Sequence, residues 1–228
     1  MRDALRTIGR LLVFRATRDE LVAVGWRHLA VGLGCTWLVG IGRSWDKPEA
    51  DVFRHSGVGS VLYVIALALV VFALVWPLRP PDWSYRRVLT FVTLVAPPAA
   101  LYAIPVERLL AADVARRVNF WFLALVAVWR VALLLFYLRR VAKLSALEVV
   151  TTGLLPLTVI VSGLFALNLD RVVFDIMGGG ATGAGGDAYM VLFALTSLSV
   201  VAVWPLLVAY LALVVAAWLR RRRSSSRP

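Results

Sequence analysis

Between Leu21 and Leu219 the chain holds six apolar runs, near 21–42, 58–78, 88–104, 118–138, 149–168 and 189–219. Each approaches the roughly 20 residues a helix needs to cross a hydrocarbon core about 30 Å thick. Inside that core no water pairs the backbone, so only helices or closed barrels can span it. The alternating pattern of barrel strands is absent, which disfavours a barrel. The fold class expected is all-α: a polytopic transmembrane helical bundle of about six spans. Composition agrees, with 61% hydrophobic and 17% charged residues, against about half and a quarter in soluble domains.

Basic residues orient the spans. With the N-terminus inside, the inside holds 17 basic residues against five acids, and the outside seven against eight. Both termini therefore come out cytoplasmic. Arginine supplies 23 of the 25 basic residues, a bias associated with GC-rich bacterial genomes, so the location expected is a bacterial inner membrane. No A-x-A-type cleavage site follows the first run, which is expected to be a retained span. Thr17 and Glu20 form a T-x-x-E capping box that predicts its start at Leu21. Arg27 and His28 then reach back to the headgroups.

The chain divides into a basic amphipathic interfacial helix (1–17), one transmembrane domain (18–219) and a basic cytoplasmic tail (220–228). Arg2, Arg6 and Arg10 fall on one side of the first helix, and Leu5, Ile8 and Leu12 largely on the other. That suits a helix held in the headgroup layer by anionic lipid; a disordered basic tail is the alternative. Arg220 and Arg221 open the second lipid-contact cluster. The basic residues follow the positive-inside pattern and no nucleic-acid module is recognisable, which excludes nucleic acid as a partner.

The third run, FVTLVAPPAALYAIP, holds Pro97 and Pro98 side by side. Each removes a backbone donor and clashes one turn back, so this helix should break. If it were re-entrant, five spans would remain, the Arg108, Arg116 and Arg117 loop would return to the cytoplasm, and the N-terminal arginines would be stranded outside. That is the alternative topology. Arg130 is the only ionisable residue deep in a span, where charges are costly and often functional. Carbonyls freed by Pro97 and Pro98, an anion or lipid phosphate, or snorkelling would each accommodate it. Pro156 and Pro205 add kinks to the fifth and sixth spans.

Gly32, Thr36 and Gly40 recur every four residues on the first span, a helix-packing pattern. The loop MGGGATGAGGD, 177–187, lacks the lysine of a phosphate-binding loop and reads as a linker. The lone Cys35 excludes a disulfide framework, and His28 and His55 fit no metal-ligand spacing. No catalytic set, metal site or cofactor is expected.

The stretch SYRRVLTFVTLVAPPAALYAIP (84–105) resembles the Yip family of small polytopic membrane proteins, in which a basic approach precedes a proline-broken span. LFYLRRVAKLSALEVVTTGLLPLTVIV (135–161) is similar to the family's basic turn, Ser-x-Leu start and proline-bearing next span. The resemblance implies five spans and a role at membranes. The D-L-Y-G-P motif of eukaryotic members is absent, so Rab binding is not implied. The function expected is non-enzymatic: a bundle that self-associates or binds another membrane protein, and organises or perturbs the bilayer. The alternative is a small transporter or channel for an anion or lipid, with Arg130 and the Pro97/Pro98 break lining its path.

Overall fold

The apolar runs fold as helices. The computed structural model describes residues 2–42, 52–167 and 187–225, and no strand occurs among them. The glycine-rich loop, up to residue 186, and residues 226–228 of the basic tail lie outside the described residues. Four helices are long and apolar enough to cross a membrane: Val58–Leu78, Arg117–Arg140, Ala146–Ala166 and Met190–Arg222.

The chain forms two compact units, Met1–Ala73 with Pro81–Lys143, and Leu74–Pro80 with Leu144–Pro228. The first unit contains α1 (Arg2–Leu12), α2 (Arg18–Val22), α3 (Trp26–Gly42), α4 (Val52–His55) and most of α5 (Val58–Val75). It continues with α6 (Tyr85–Leu94), a 3-10 segment (Pro97–Ala103), α7 (Val106–Leu109) and α8 (Ala112–Arg140). The Thr17–Glu20 capping box is formed, but it starts the five-residue α2 and not the first long helix. That helix begins one turn later, at Trp26, where the Gly25 N–H donates to His28 Nδ1 at 3.3 Å.

The third run breaks, as its prolines require. The α-helix stops at Leu94 and the chain resumes as a 3-10 helix at Pro97. The break falls one turn before the prolines because their missing N–H groups and ring clashes act on carbonyls three and four residues back. Tightening supplies some replacements: the Ala96 N–H donates to Thr93 O at 3.1 Å, and the Ala99 N–H to Ala96 O at 2.9 Å.

The broken segment does not turn back. Arg86 lies over the Trp26 ring, 5.5 Å from its centroid. Further along, a Cβ at Gly32 would run into Thr93 Oγ1, and one at Gly42 would meet Ala103 Cβ at 2.9 Å. The separation in sequence stays near 60 at all three contacts, so the segment runs parallel to α3 for the length of that helix. α5 runs the other way, with Ser60 against Gly40 at its start and Phe72 against Tyr85 near its end. α8 is antiparallel to α6: it packs on the 3-10 segment, and Tyr137 near its end stacks on Phe91 at 4.0 Å.

Leu29, Gly32, Thr36 and Gly40 are the buried residues of α3. The small-residue stripe is thus filled by α5 and α6 of the same chain. Thr36, Thr90 and Thr93 bond carbonyls of their own helices at 2.8–2.9 Å, so their hydroxyls need no partner across the interface. In lipid such close approach works through dispersion rather than through release of water.

The second unit contains a 3-10 turn (Trp76–Leu78), α9 (Ala146–Ala166) and α10 (Asp187–Ser225). A second capping box, Ser145 with Glu148, starts α9. Arg220 Nη2 lies 3.9 Å from Glu148 Oε1, which makes α9 and α10 antiparallel. Residues 220–225, expected as a tail, continue α10 as helix. Pro77 has no N–H for the Leu74 carbonyl that a 3-10 turn would pair with it, and the Tyr210 hydroxyl donates to that oxygen at 2.9 Å.

A contrast between two glycines of α3 tests the packing. Gly32→Ala forces its methyl into Thr93 and should destabilise the protein by about 1–3 kcal/mol. Gly34, with nothing within 4 Å of a built Cβ, should accept alanine with no loss, or a gain of up to about 1 kcal/mol from helix propensity. Thermal unfolding in detergent reads both, and equal effects would contradict the parallel packing described.

Candidate functional site

Two features of the first unit gather the chemistry, one within the α8 span and one at its end. Val126, Leu133 and Tyr137 of α8 are 0, 0 and 1% exposed. Arg130 falls between them at spacings of four and three, so its register places it on the buried face. It is half-buried, and among the described residues it makes no hydrogen bond or ion pair. The tie expected between Arg130 and carbonyls near Pro97 is therefore not formed; 3-10 bonds take up some of those carbonyls instead. The two residues are nonetheless level. Counting seven residues back from Tyr137 and six on from Phe91 covers roughly 10 Å on each helix, and the two counts end at Arg130 and Pro97. Pro98 is buried and Pro97 half-buried.

The second feature lies where α1, α2, the turn before α6 and the end of α8 meet. Asp82, in the left-handed region at φ 59°, accepts from Arg18 at 2.7 Å and lies 3.7 Å from Arg87. Arg87 also donates to the Asp82 carbonyl. Two guanidiniums thus share one carboxylate, leaving a net positive charge. Trp83, Arg87 and Phe91 are spaced four apart, and the Tyr137 ring touches both Trp83 and Phe91. Arg87 is accordingly next to the Tyr137 hydroxyl, which is buried and has no hydrogen-bond partner among the described residues; Arg18 Nε and Arg87 Nε are also buried without one there.

α1 packs on this end. Ala4, Thr7, Ile8 and Leu11 are its buried residues, Ile8 and Leu11 belong to the same core cluster as Tyr137, and Trp129 Nε1 donates to Leu12 O at 3.0 Å. Leu5, expected on the apolar side, is 52% exposed, because it stands about 120° round the helix from Leu11. Arg6 is exposed, while Arg10 is tied to Glu20 at 2.6 Å. The side chain of Arg2 lies outside the described residues. Glu20 is held below the usual carboxylate range, first by the Thr17 N–H it accepts and then by the Thr17 hydroxyl and the Arg10 charge.

Asp82 and Tyr137 escape a reading of sequence. The four-residue spacing of Trp83, Arg87 and Phe91 was the available signal, but it needed Tyr137, some 50 residues on, to give it meaning. Among the described residues no group of His, Cys, Asp and Glu is placed to hold a metal ion. No protein family, characterised protein or solved structure matches this chain.

The unpartnered hydroxyl gives a direct test. Tyr137→Phe keeps the stack on Phe91 and removes a buried unpaired group, so stability should hold or rise by about 1 kcal/mol. Tyr137→Ala should cost about 3–5 kcal/mol. A marked loss in the phenylalanine variant, measured by thermal unfolding, would mean that the hydroxyl has a partner.

Proposed function

We propose that the chain is a non-enzymatic integral membrane protein that crosses the bilayer six times, with both termini cytoplasmic. It acts as a helical bundle that binds anionic lipid, and itself or another membrane protein, and so organises the bilayer. The order of basic approach, proline-broken span and Ser-capped proline-bearing span is the ground for reading it as Yip-like, without Rab binding. The arginine bias favours a bacterial inner membrane.

The parallel course of α3 and the broken segment is the observation that carries this reading. A re-entrant segment would reverse at Pro97, whereas contacts continue along α3 to Ala103. The second unit supports the same count. Arg79, at the end of the second apolar run, and Arg221, at the end of the last, line one groove. Two ends on one side require an even number of crossings between them, which four full crossings supply and three do not. The net charge of the Arg18–Asp82–Arg87 cluster and the packed basic α1 then face one leaflet, together with Arg139 and Arg140. Reporter fusions after Ser225 and near Gly183 should lie on opposite sides of the membrane; the same side for both would end the topology.

The second reading, an anion or lipid path, has one observation of its own. Arg130 offers five donors with no acceptor among the described residues, level with the Pro97/Pro98 break. Its guanidinium stays charged wherever it sits, and an unpaired arginine at a helix centre costs about 2.5–3.5 kcal/mol on translocon scales. Arg130→Leu should therefore leave stability unchanged or raise it, by up to about 3 kcal/mol. It should also weaken any anion flux or anionic-lipid response of the protein in vesicles. A destabilised Arg130→Leu protein would mean that the arginine ties protein groups together, and an intact response would remove it from the site.

A further inference from the structure

The second unit contains a groove of about 200 Å³, lined by Trp76, Pro77, Arg79, Val214, Trp218 and Arg221. Its walls are apolar and its rim is basic, and both have structural causes. Pro77 converts the end of α5 into a 3-10 turn, whose Arg79 N–H closes on Trp76 O at 3.0 Å. Arg79 precedes Pro80, which disfavours the right-handed helical region there; it adopts φ 51° and leaves the helix line. Tyr210, bonded to Leu74, fixes α10 against this turn, so that Val214 and Trp218, one and two turns on, form the opposite wall. The turn and α10 belong to one compact unit.

The chemistry selects a ligand. Arg79 and Arg221 rim the groove, and among the described residues the Arg79 side chain has no partner. Among the described residues no carboxylate lines it. Asp82, the acid nearest to Arg79 in sequence, is taken up by Arg18 and Arg87, and Glu148 is occupied with the Ser145 cap and with Arg220. The Trp218 face, which could otherwise receive a choline cation, is already covered by Arg222, 3.7 Å from the ring centroid. An anion is favoured over a cationic headgroup, and paired arginines suit a phosphate. Two indoles, a proline and a valine suit the ester and upper acyl region of a lipid, since indoles settle at that depth. A free phosphate would lose its hydration against those rings and gain nothing from them.

We propose that this groove binds one anionic phospholipid, its phosphate between Arg79 and Arg221 and its glycerol–ester region between Trp76 and Trp218. This rests on the reading of the chain as a lipid-binding membrane protein, and names the headgroup class and the site.

The test uses the full-length protein, released for native mass spectrometry from micelles doped with phosphatidylglycerol or phosphatidylcholine. The wild type should retain one phosphatidylglycerol in preference to phosphatidylcholine. Arg79→Gln with Arg221→Gln should weaken that retention about 10- to 30-fold, the scale expected for two arginines at an anionic surface. Arg108→Gln with Arg117→Gln, the same loss of charge elsewhere at exposed positions, should leave it intact. Trp218→Phe, which keeps all the charges, should weaken it less than the arginine pair and needs no change at the rim. Equal retention of both lipids, or full retention in the groove variant, would overturn the proposal. Displacement of the lipid by millimolar inorganic phosphate would overturn the lipid assignment in favour of a phosphate site. Vesicle-perturbation assays on the same samples separate the two levels. Preferential retention without any effect on bilayers would leave the groove standing and remove the bilayer-organising function, and the reverse result would do the opposite.

Discussion

A buried backbone polar group must find a partner within the protein, and the Pro97–Pro98 pair, among buried residues, makes that requirement acute. The chain answers by changing helix type. With α6 stopped at Leu94 and the 3-10 segment begun at Pro97, i to i+3 bonds replace some of those the prolines forbid. Such a segment has poorer hydrogen-bond geometry than an α-helix and needs a firm neighbour. α3 provides one through Gly32 and Gly42, which let the backbone of the broken segment lie close along its length. The break and the small residues of a different helix are one structural device.

That coupling explains what was legible in sequence. The apolar runs, the break and the small-residue stripe follow from short-range rules, and the structure has all three. The stripe's partner was not legible, because a Gly-x-x-x-Thr-x-x-x-Gly pattern shows that something approaches closely and not what. The partner is Thr93, 61 residues on, a position marked only by its nearness to the prolines. The start of α3 was misplaced for a related reason. The Thr17–Glu20 box is a sound helix start, but a cap carries no information on how long its helix runs. Here the helix turns out after Val22, with Leu21 and Val24 in the core.

The amphipathic N-terminus illustrates how packing alters a periodic pattern. Arg6 and Arg10 on one side of α1 are visible from spacing alone. The opposite side is centred on Ile8 and Leu11 rather than on Leu5. Where a helix lies at the water-facing end of a bundle, burial removes apolar surface from water, and each such side chain contributes about 1.5–3 kcal/mol. Deeper in the bundle the same side chain gains only better packing than lipid offers. Ile8 and Leu11 of α1 join Phe91 and Tyr137 in one core cluster.

The count of crossings shows how length rules behave when a helix changes type. By length and apolarity four helices qualify as spans; α3 has 17 residues and α6 only ten. Rise per residue matters more than residue number. Ten α-helical residues reach about 15 Å, and seven in a 3-10 helix at about 2.0 Å each add about 14 Å. With Val95 and Ala96 between them, Tyr85 to Ala103 reaches about 30 Å, the thickness of a hydrocarbon core. α3 at 17 residues reaches about 26 Å, a few ångströms short, a mismatch that bilayers absorb at modest cost. A proline pair that shortens the α-helix therefore lengthens the segment's reach per residue. That lets a 19-residue broken segment match its unbroken neighbour α3 along its length, with Arg130 of α8 level with the break.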